Sequence, residues 1–466
     1  MKKNWPLYLL VFSFFLLLIS PRQWADGMFL DGMIYATISR NMSIGLGSIW
    51  KPFYTITWND FHEHPPLALW LESLVFRMTG DSIYAERIYS FAMFVFTGGV
   101  MTLIWKRVTN SLTYGWLPLF FWITIPTVSW ACSSNMLENT MMVFTSLSVY
   151  FYLRKDDRFY FIALSGLCLF LAFLSKGVFA LFILSLPLWM KVLGTEAKWG
   201  KAILSGMVLL LLTIVPFFIF ALIDQEIIAS LKTYMDQQVI RSVKNVQTVD
   251  HRWKILEKMF SDLLPALIIS VIMVLFGLQK KWIDKKSMNS NRAWALTFFF
   301  LALSGVLPIM ISLKQSSFYI MATFPIFSLA FGLYMLPVIE RIFDRVQPGT
   351  TAWLKWISIA LLIGGTILSI ALSGRIGRDH EEMKDLYTTL DVIPRESVIS
   401  MSVDLSEEWQ IYARYSRYGQ VTVTTDQENL QNYYLTGKNS HIVPQGFTKV
   451  PLQTTLYDLY KRASQP

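Results

Sequence analysis

Asp31 stands in the run Phe29-Leu30-Asp31-Gly32-Met33-Ile34-Tyr35, directly after a long apolar segment. A carboxylate there can work as a general base, or it can simply accept backbone N–H bonds at a helix start. Helical spacing puts Tyr35, four residues on, on the same face. Glu63 lies in Phe61-His62-Glu63-His64-Pro65-Pro66. Paired prolines end a preceding helix and suit the first turn of the next, so Glu63 and its histidines are expected on a rigid turn. Glu and His are both ligand types for a divalent cation. Successive residues of an extended strand point to opposite faces, however, so the tripeptide alone reads equally well as an interfacial loop of solvated charges. His251, in Asp250-His251-Arg252-Trp253, is a second candidate ligand. Glu138, Lys176 and Lys314 complete the set, with Phe318-Tyr319 just beyond Lys314. Ionisable side chains at a membrane edge are costly and are therefore functional candidates, although the two lysines could also snorkel.

The elements that must position these groups are set by composition. Of 466 residues, 54% are hydrophobic and 16% charged, against about 25% charged in an average soluble domain. Long water-excluding segments are required. Windows of about 20 mostly apolar residues predict about eleven transmembrane helices, centred on 6–22, 89–105, 112–130, 136–153, 159–175, 177–193, 202–223, 261–279, 293–313, 317–337 and 353–373. The division of 159–193 rests only on Ser175-Lys176-Gly177. Lys2 and Lys3 place the N-terminus in the cytoplasm by the positive-inside rule. The loops that should share that side carry Lys106/Arg107, Arg154/Lys155/Arg158, Lys191/Lys198/Lys201, Lys280/Lys281/Lys285/Lys286/Arg292 and Arg341/Arg345/Lys355. The charge pattern thus supports the same spans independently of hydropathy.

Three segments then face outward: the loop 23–88, the loop 224–260 and the tail. The expected organisation is a transmembrane module over 1–374, with outer-face juxtamembrane helices, and a small soluble α/β domain over 375–466. In that tail, Asp379–Leu390 reads as a helix, Ser397–Val403 and Gln420–Thr424 alternate like strands, and Ser406–Tyr418 reads as helical between them. The net charge of +9 sits beside apolar runs, which is a topology signal and not a nucleic-acid face. The two cysteines, Cys132 and Cys168, have no metal-ligand spacing and read as buried thiols. The first apolar segment lacks a small-x-small cleavage site before Trp24 and reads as a retained helix.

In order along the chain come Asp31 with Tyr35-Ala36-Thr37-Ile38-Ser39-Arg40, Glu63 before Pro, Leu and Trp70, then Asp81-x-x-Tyr84-Ala85-Glu86-Arg87. Leu137-Glu138-Asn139, Ser175-Lys176-Gly177, and Lys314 with Phe318-Tyr319 follow. This order resembles the GT-C superfamily of membrane glycosyltransferases, in particular the bacterial branch of lipid A aminoarabinose transferases and protein-mannosyltransferase-like enzymes. The resemblance covers roughly residues 1–340 in scattered short motifs. It implies a sugar donor linked to a polyprenyl phosphate, an acceptor that is a glycolipid, another glycan or a protein, and contact with membrane lipids. It implies catalytic roles for Asp31 and Glu138. It implies substrate or phosphate binding by Tyr35, Arg40, His64, Arg87, Lys176, Arg252, Lys314 and Tyr319, and a divalent cation shared by Glu63 and His251. Gly32 after Asp31, Ile34 three residues after it, and His64 after Glu63 depart from the family pattern, which leaves the donor sugar open. The setting it implies is a bacterial inner membrane with a periplasmic active site and a periplasmic C-terminal domain. The rival classes are a multi-span transporter, for which no internal repeat is visible, and a scaffold presenting the tail domain.

Overall fold

The computed structural model describes residues 5–158, 160–196, 198–281, 291–345, 348–438, 440 and 442–463. Lys2, Lys3, Lys285 and Lys286 of the charge pattern lie outside them. Among the described residues, six helices are long and apolar enough to cross a bilayer: Ala85–Thr109, Trp199–Ile223, Lys254–Gln279, Arg292–Ile311, Ser317–Arg345 and Trp353–Leu372. A bent pair, Trp116–Ile123 and Pro126–Ser133, turns through 79° and would add a seventh. The bend has a local cause. Pro126 has no N–H to carry the first helix onward, and its fixed φ suits the first position of the second.

The other expected spans are shorter helical pieces: Trp5–Leu18, Leu137–Leu153, Tyr160–Lys176 and Val178–Val192. The 14 residues of Trp5–Leu18 reach only about 21 Å, against a hydrocarbon core of about 30 Å. Among the described residues, length and composition therefore support six or seven spans, and the expected count of about eleven is not confirmed. Apolar windows do not register a Pro bend or a Gly break that divides a run into short pieces.

The helices pack as a bundle around one large apolar core that includes Trp105, Trp122, Phe298, Phe324 and Phe327. The Trp5–Leu18 helix lies along Pro348–Leu372, where Ser13 Oγ donates to the Ser358 carbonyl at 2.7 Å. Small residues allow this closeness: a Cβ on Gly365 would stand 3.0 Å from the Leu17 nitrogen. Trp199–Ile223 instead leaves Leu211, Phe218 and Leu222 exposed, as lipid-facing side chains would be.

At one end of the bundle the three expected outer segments meet. Asp26 bridges to Ile376 in parallel fashion, His62 Nδ1 lies 3.1 Å from Ser230 Oγ, and Thr57 Oγ1 donates to the Val423 carbonyl at 3.3 Å. Several of the basic loops meet separately, where Arg107 pairs with Asp157 at 2.7 Å and Lys201 with Asp156 at 2.9 Å.

The tail carries a helix, His380–Leu390, and a five-stranded sheet. Its strands are β1 (Val398–Met401), β2 (Thr422–Thr424), β3 (Tyr433–Gly437), β4 (Phe447–Lys449) and β5 (Tyr457–Arg462), in the order β2-β1-β3-β5-β4. β1 runs parallel to β2 and β3, with Val398 opposite Thr422 and Ser400 opposite Tyr434. β5 is antiparallel to β3 and β4. A separate core of Met383, Leu386, Ile399, Met401 and Leu435 sits under the sheet.

Candidate active site

Asp31 is in the first turn of the helix Leu30–Ser43, whose N-cap residue is Phe29 and has no side-chain cap bond. A carboxylate in this turn is favoured by the helix dipole. Asp31 and Tyr35 both face a cavity of about 1160 Å³ between the outer segments and the bundle. Glu63, His64, Lys176, Lys314 and Tyr319 line the same cavity.

The prolines act as their positions require. Pro66 caps the helix Leu67–Thr79, and the turn before it turns Glu63 and His64 inward. Lys176 ends the helix Tyr160–Lys176. The chain then changes to a 3₁₀ stretch, Gly177–Ser185. Gly177 has a φ of +83°, and a Cβ there would lie 1.8 Å from Tyr234 Oη. Only glycine fits that break, and the break is what brings the lysine to the cavity.

The Lys176 ammonium stands 3.3 Å from Glu138 Oε1 and 3.1 Å from His64 Nε2, and donates to Tyr35 Oη at 3.3 Å. Three neighbours match the three donors of an ammonium. Its side chain is 1% exposed and that of Glu138 is 0%. Lys176 is thus an internal tie between four elements. Lys314 is placed differently. It lies on the loop between Leu307–Ile311 and Ser317–Thr323, is half-buried, and donates only to Gln238 Oε1 among the bonds seen, at 3.1 Å. Buried Gln315 holds that loop by donating to the carbonyls of Arg252 (2.9 Å) and Ser312 (2.8 Å) and accepting from the Ile255 N–H (2.7 Å).

Enclosure sets the electrostatics. Burial raises the Asp31 carboxyl above the usual aspartate range, while Lys176 and Lys314 pull it back. Burial likewise raises Glu63, which Asp31 pushes further up and Lys314 opposes. Burial and the two lysines hold His64 well below its ordinary value, so it is neutral. Burial lowers Lys314, against the pull of Glu63 and Asp31.

Five expected residues do not line the cavity. Glu138 lies behind Lys176. Arg40 donates to the Ser416 carbonyl at 3.0 Å and to Asn41 Oδ1 at 2.8 Å. Arg87 donates to the carbonyls of Arg22 (2.8 Å) and Gly27 (3.0 Å). Both arginines serve backbone carbonyls of the outer segments. Arg252 and His251 are exposed on the turn before Lys254–Gln279, where His251 Nε2 is 3.2 Å from Glu257. Among the described residues, no three His, Cys, Asp or Glu side chains converge as a metal site. Glu63 lines the cavity and His251 does not, and the positive groups acting on Glu63 are Lys314, Lys176 and Arg241.

Sequence reading missed three further groups. Lys258 lines the cavity and donates to the Gln315 carbonyl at 2.8 Å; its signal was a charge in the first turns of an apolar helix. Glu72 is buried and accepts from Ser39 Oγ and Asn135 Nδ2, both at 2.7 Å, with its pKa pushed up by burial to about 8. Arg417 is buried against Glu86 and Asp81, and no local pattern marks it.

Residues 63–235 match the family model described as dolichyl-phosphate-mannose-protein mannosyltransferase. The crystal structure of ArnT from Cupriavidus metallidurans bound to undecaprenyl phosphate superposes with a TM-score of 0.68 at 13% identity, covering 99% of this chain and 98% of that one. The apo form of that ArnT gives 0.62 at 14% identity, covering 96% and 95%. The oligosaccharyltransferase AglB from Archaeoglobus fulgidus, in complex with an inhibitory peptide and a dolichol-phosphate, gives 0.51 at 11% identity, covering 94% and 70%. The fold is that of these ArnT and AglB structures. No curated relative matches the chain. The matched family segment contributes Glu63, His64, Lys176 and Tyr234 to the cavity wall.

Proposed function

We propose that this chain is a membrane glycosyltransferase that moves a sugar from a polyprenyl-phosphate donor to an acceptor, with inversion at the anomeric carbon. The observation that carries the reading is the meeting of Asp31, Glu63, Lys176 and Lys314 in one cavity at the end of the bundle. The ArnT structure with undecaprenyl phosphate supports the donor class.

Asp31 is the general base. It takes the proton of the acceptor nucleophile as that atom attacks the anomeric carbon. The bond from that carbon to the phosphate oxygen breaks, and the polyprenyl phosphate leaves with the electron pair. Lys314 faces that developing charge, because its donors are the less committed of the two lysines. Lys176, held by Glu138, positions Tyr35 and His64 and contributes a fixed positive charge. Only one carboxylate needs to touch the acceptor, unlike the paired acids of glycoside hydrolysis. A divalent cation at Glu63 would need its remaining ligands from phosphate and water. The acceptor is a glycolipid, glycan or protein of the bacterial envelope. The cavity faces the periplasm, with the N-terminus in the cytoplasm.

The test is a titration of purified protein with undecaprenyl phosphate, with and without EDTA. Wild type and Asp31→Asn should bind alike, and Lys314→Ala about tenfold more weakly, a change of about 1.4 kcal/mol. EDTA should change neither value more than twofold. Absence of binding by the wild type would overturn the lipid-carrier reading and favour the rival transporter reading.

A further inference from the structure

Trp409 is the residue that the C-terminal domain places in the cavity wall. It is 48% exposed. Across from it, also in the wall, is Trp58 of the first outer segment. The two indoles have centroids 5.3 Å apart and planes inclined at 41°, a tilted pair in contact whose outer faces form a wedge-shaped platform on the cavity wall. Trp58 is fixed from behind: Tyr412 meets it edge-on at 4.7 Å, and Tyr54 stacks at 6.4 Å. Both tyrosines are buried. Asp60, two residues from Trp58, is exposed in the same wall and is held in place by a backbone bridge to Phe53.

Three features argue that this wedge is a built site. Leaving a large indole half exposed forgoes burial of apolar area that its neighbours achieve. The helix that begins at Trp409 is also rigidly held. It runs as Trp409–Arg414 into Tyr415–Gly419, where Arg417 donates to Glu86 at 2.8 Å and to Asp81 at 2.8 Å, and Arg414 pairs with Asp379 at 2.8 Å. A buried charge cluster therefore fixes the position of Trp409 relative to the membrane half. The cavity's 1160 Å³ also exceeds the roughly 300–1,000 Å³ that holds one small ligand, which leaves room for a second reactant.

We infer that Trp58, Trp409 and Asp60 form a subsite for a saccharide ring of the acceptor. A pyranose ring offers a face of C–H groups, which an indole face covers, and a rim of hydroxyls, which a carboxylate accepts from. The wedge lies between the soluble domain, which supplies Trp409, and the first outer segment, which supplies Trp58 and Asp60, so the ring it takes belongs to the water-exposed part of the acceptor. The inference rests on the glycosyl-transfer reading and narrows it: the acceptor is itself a glycan or glycolipid, and not an unglycosylated protein.

The experiment uses the full chain in nanodiscs on an array of defined oligosaccharides carrying hexose, heptose and amino-sugar rings, with unglycosylated peptides as a second panel. The same preparations are titrated with undecaprenyl phosphate. The expected result is binding to at least one oligosaccharide class, weakened about tenfold or more by Trp409→Ala and by Trp58→Ala and largely restored by Trp409→Tyr. Undecaprenyl phosphate binding by each variant shows that it is folded. No oligosaccharide binding, binding that ignores Trp409→Ala, or binding confined to peptides would overturn the subsite. Undecaprenyl phosphate bound without any glycan sinks the subsite and leaves the donor reading standing. Glycan bound through Trp409 without undecaprenyl phosphate does the reverse.

Discussion

Asp31 and Lys314 share an enclosure that moves their proton affinities toward each other, and the rate should record it. Burial raises the Asp31 carboxyl, and a base must be ionised to work, so transfer should rise with pH through a point above the ordinary aspartate value of about 4. Burial lowers the Lys314 ammonium, and only its charged form stabilises a leaving phosphate. Transfer should therefore fall as pH climbs through a point below the ordinary lysine value of about 10.4. Lys176 and Lys314 narrow the Asp31 shift; Glu63 and Asp31 narrow the Lys314 shift, while Lys176 and Arg241 add to it. Lys314→Arg should carry the alkaline limb upward, because a guanidinium stays charged. Asp31→Asn should lose transfer by about 10²–10⁴ at every pH. A pH–rate profile whose alkaline limb ignores Lys314→Arg would remove this lysine from the site. Lys176 answers to a different test. Glu138→Gln leaves its buried charge without a carboxylate, at a cost of about 3–5 kcal/mol. Thermal melting should show that loss for Glu138→Gln and not for half-buried Lys314→Ala.

Elements explain why some of this was legible and some was not. The Asp31–Tyr35 pair follows from helical spacing, and the inward turn at Glu63 follows from two prolines, so both were readable locally. The strands β1 and β2 and the helical stretch between them also follow from alternation and periodicity. β3, β4 and β5 do not, because their pairing joins residues such as Tyr434 and Tyr460 that no local window relates. Arg40 and Arg87 misled for a related reason. A guanidinium looks the same in sequence whether it meets a phosphate or a backbone carbonyl, and here it meets carbonyls. Gly177 is the most informative single position. A run that hydropathy divides only weakly is divided firmly by its φ of +83° and by Tyr234 Oη, which also accepts from the Val178 N–H at 3.2 Å. Gly177→Ala should displace Tyr234, move Lys176 out of reach of Tyr35 and cut transfer at least tenfold. The matching measurement is proteolysis of the 224–249 segment, which should become faster; unchanged cleavage and transfer would show that the break tolerates a side chain.

At the scale of the molecule, the C-terminal domain is joined to the outer segments by a buried charge cluster and by a small apolar cluster of Met28, Met33 and Ala413. Its own core is separate, and Trp58 is a partly buried side chain that packs against both that core and the outer-segment cluster. Arg417 is the centre of the joint. Its Nε and Nη2 donate to the Glu86 carboxylate at 3.0 and 2.8 Å, its Nη1 donates to Asp81 at 2.8 Å, and its side chain is 2% exposed. Such a cluster contributes little net stability compared with apolar packing, but removing one member strands the others. Arg417→Met should therefore cost about 3–5 kcal/mol at the joint, because Glu86 remains buried without its partner. The sheet and the bundle should each survive, since neither core includes Arg417. The expected signature is faster proteolytic release of the tail near residues 373–379, with undecaprenyl phosphate still bound and transfer to a glycan acceptor lost. Adding Glu86→Gln to Arg417→Met should recover part of the protease resistance, because the stranded charge is gone. A tail that stays protected in Arg417→Met would mean that the domains are joined chiefly through Trp58 and Tyr387, whose hydroxyl donates to Asp26, and the fixed placement of Trp409 would then have to be credited to those contacts.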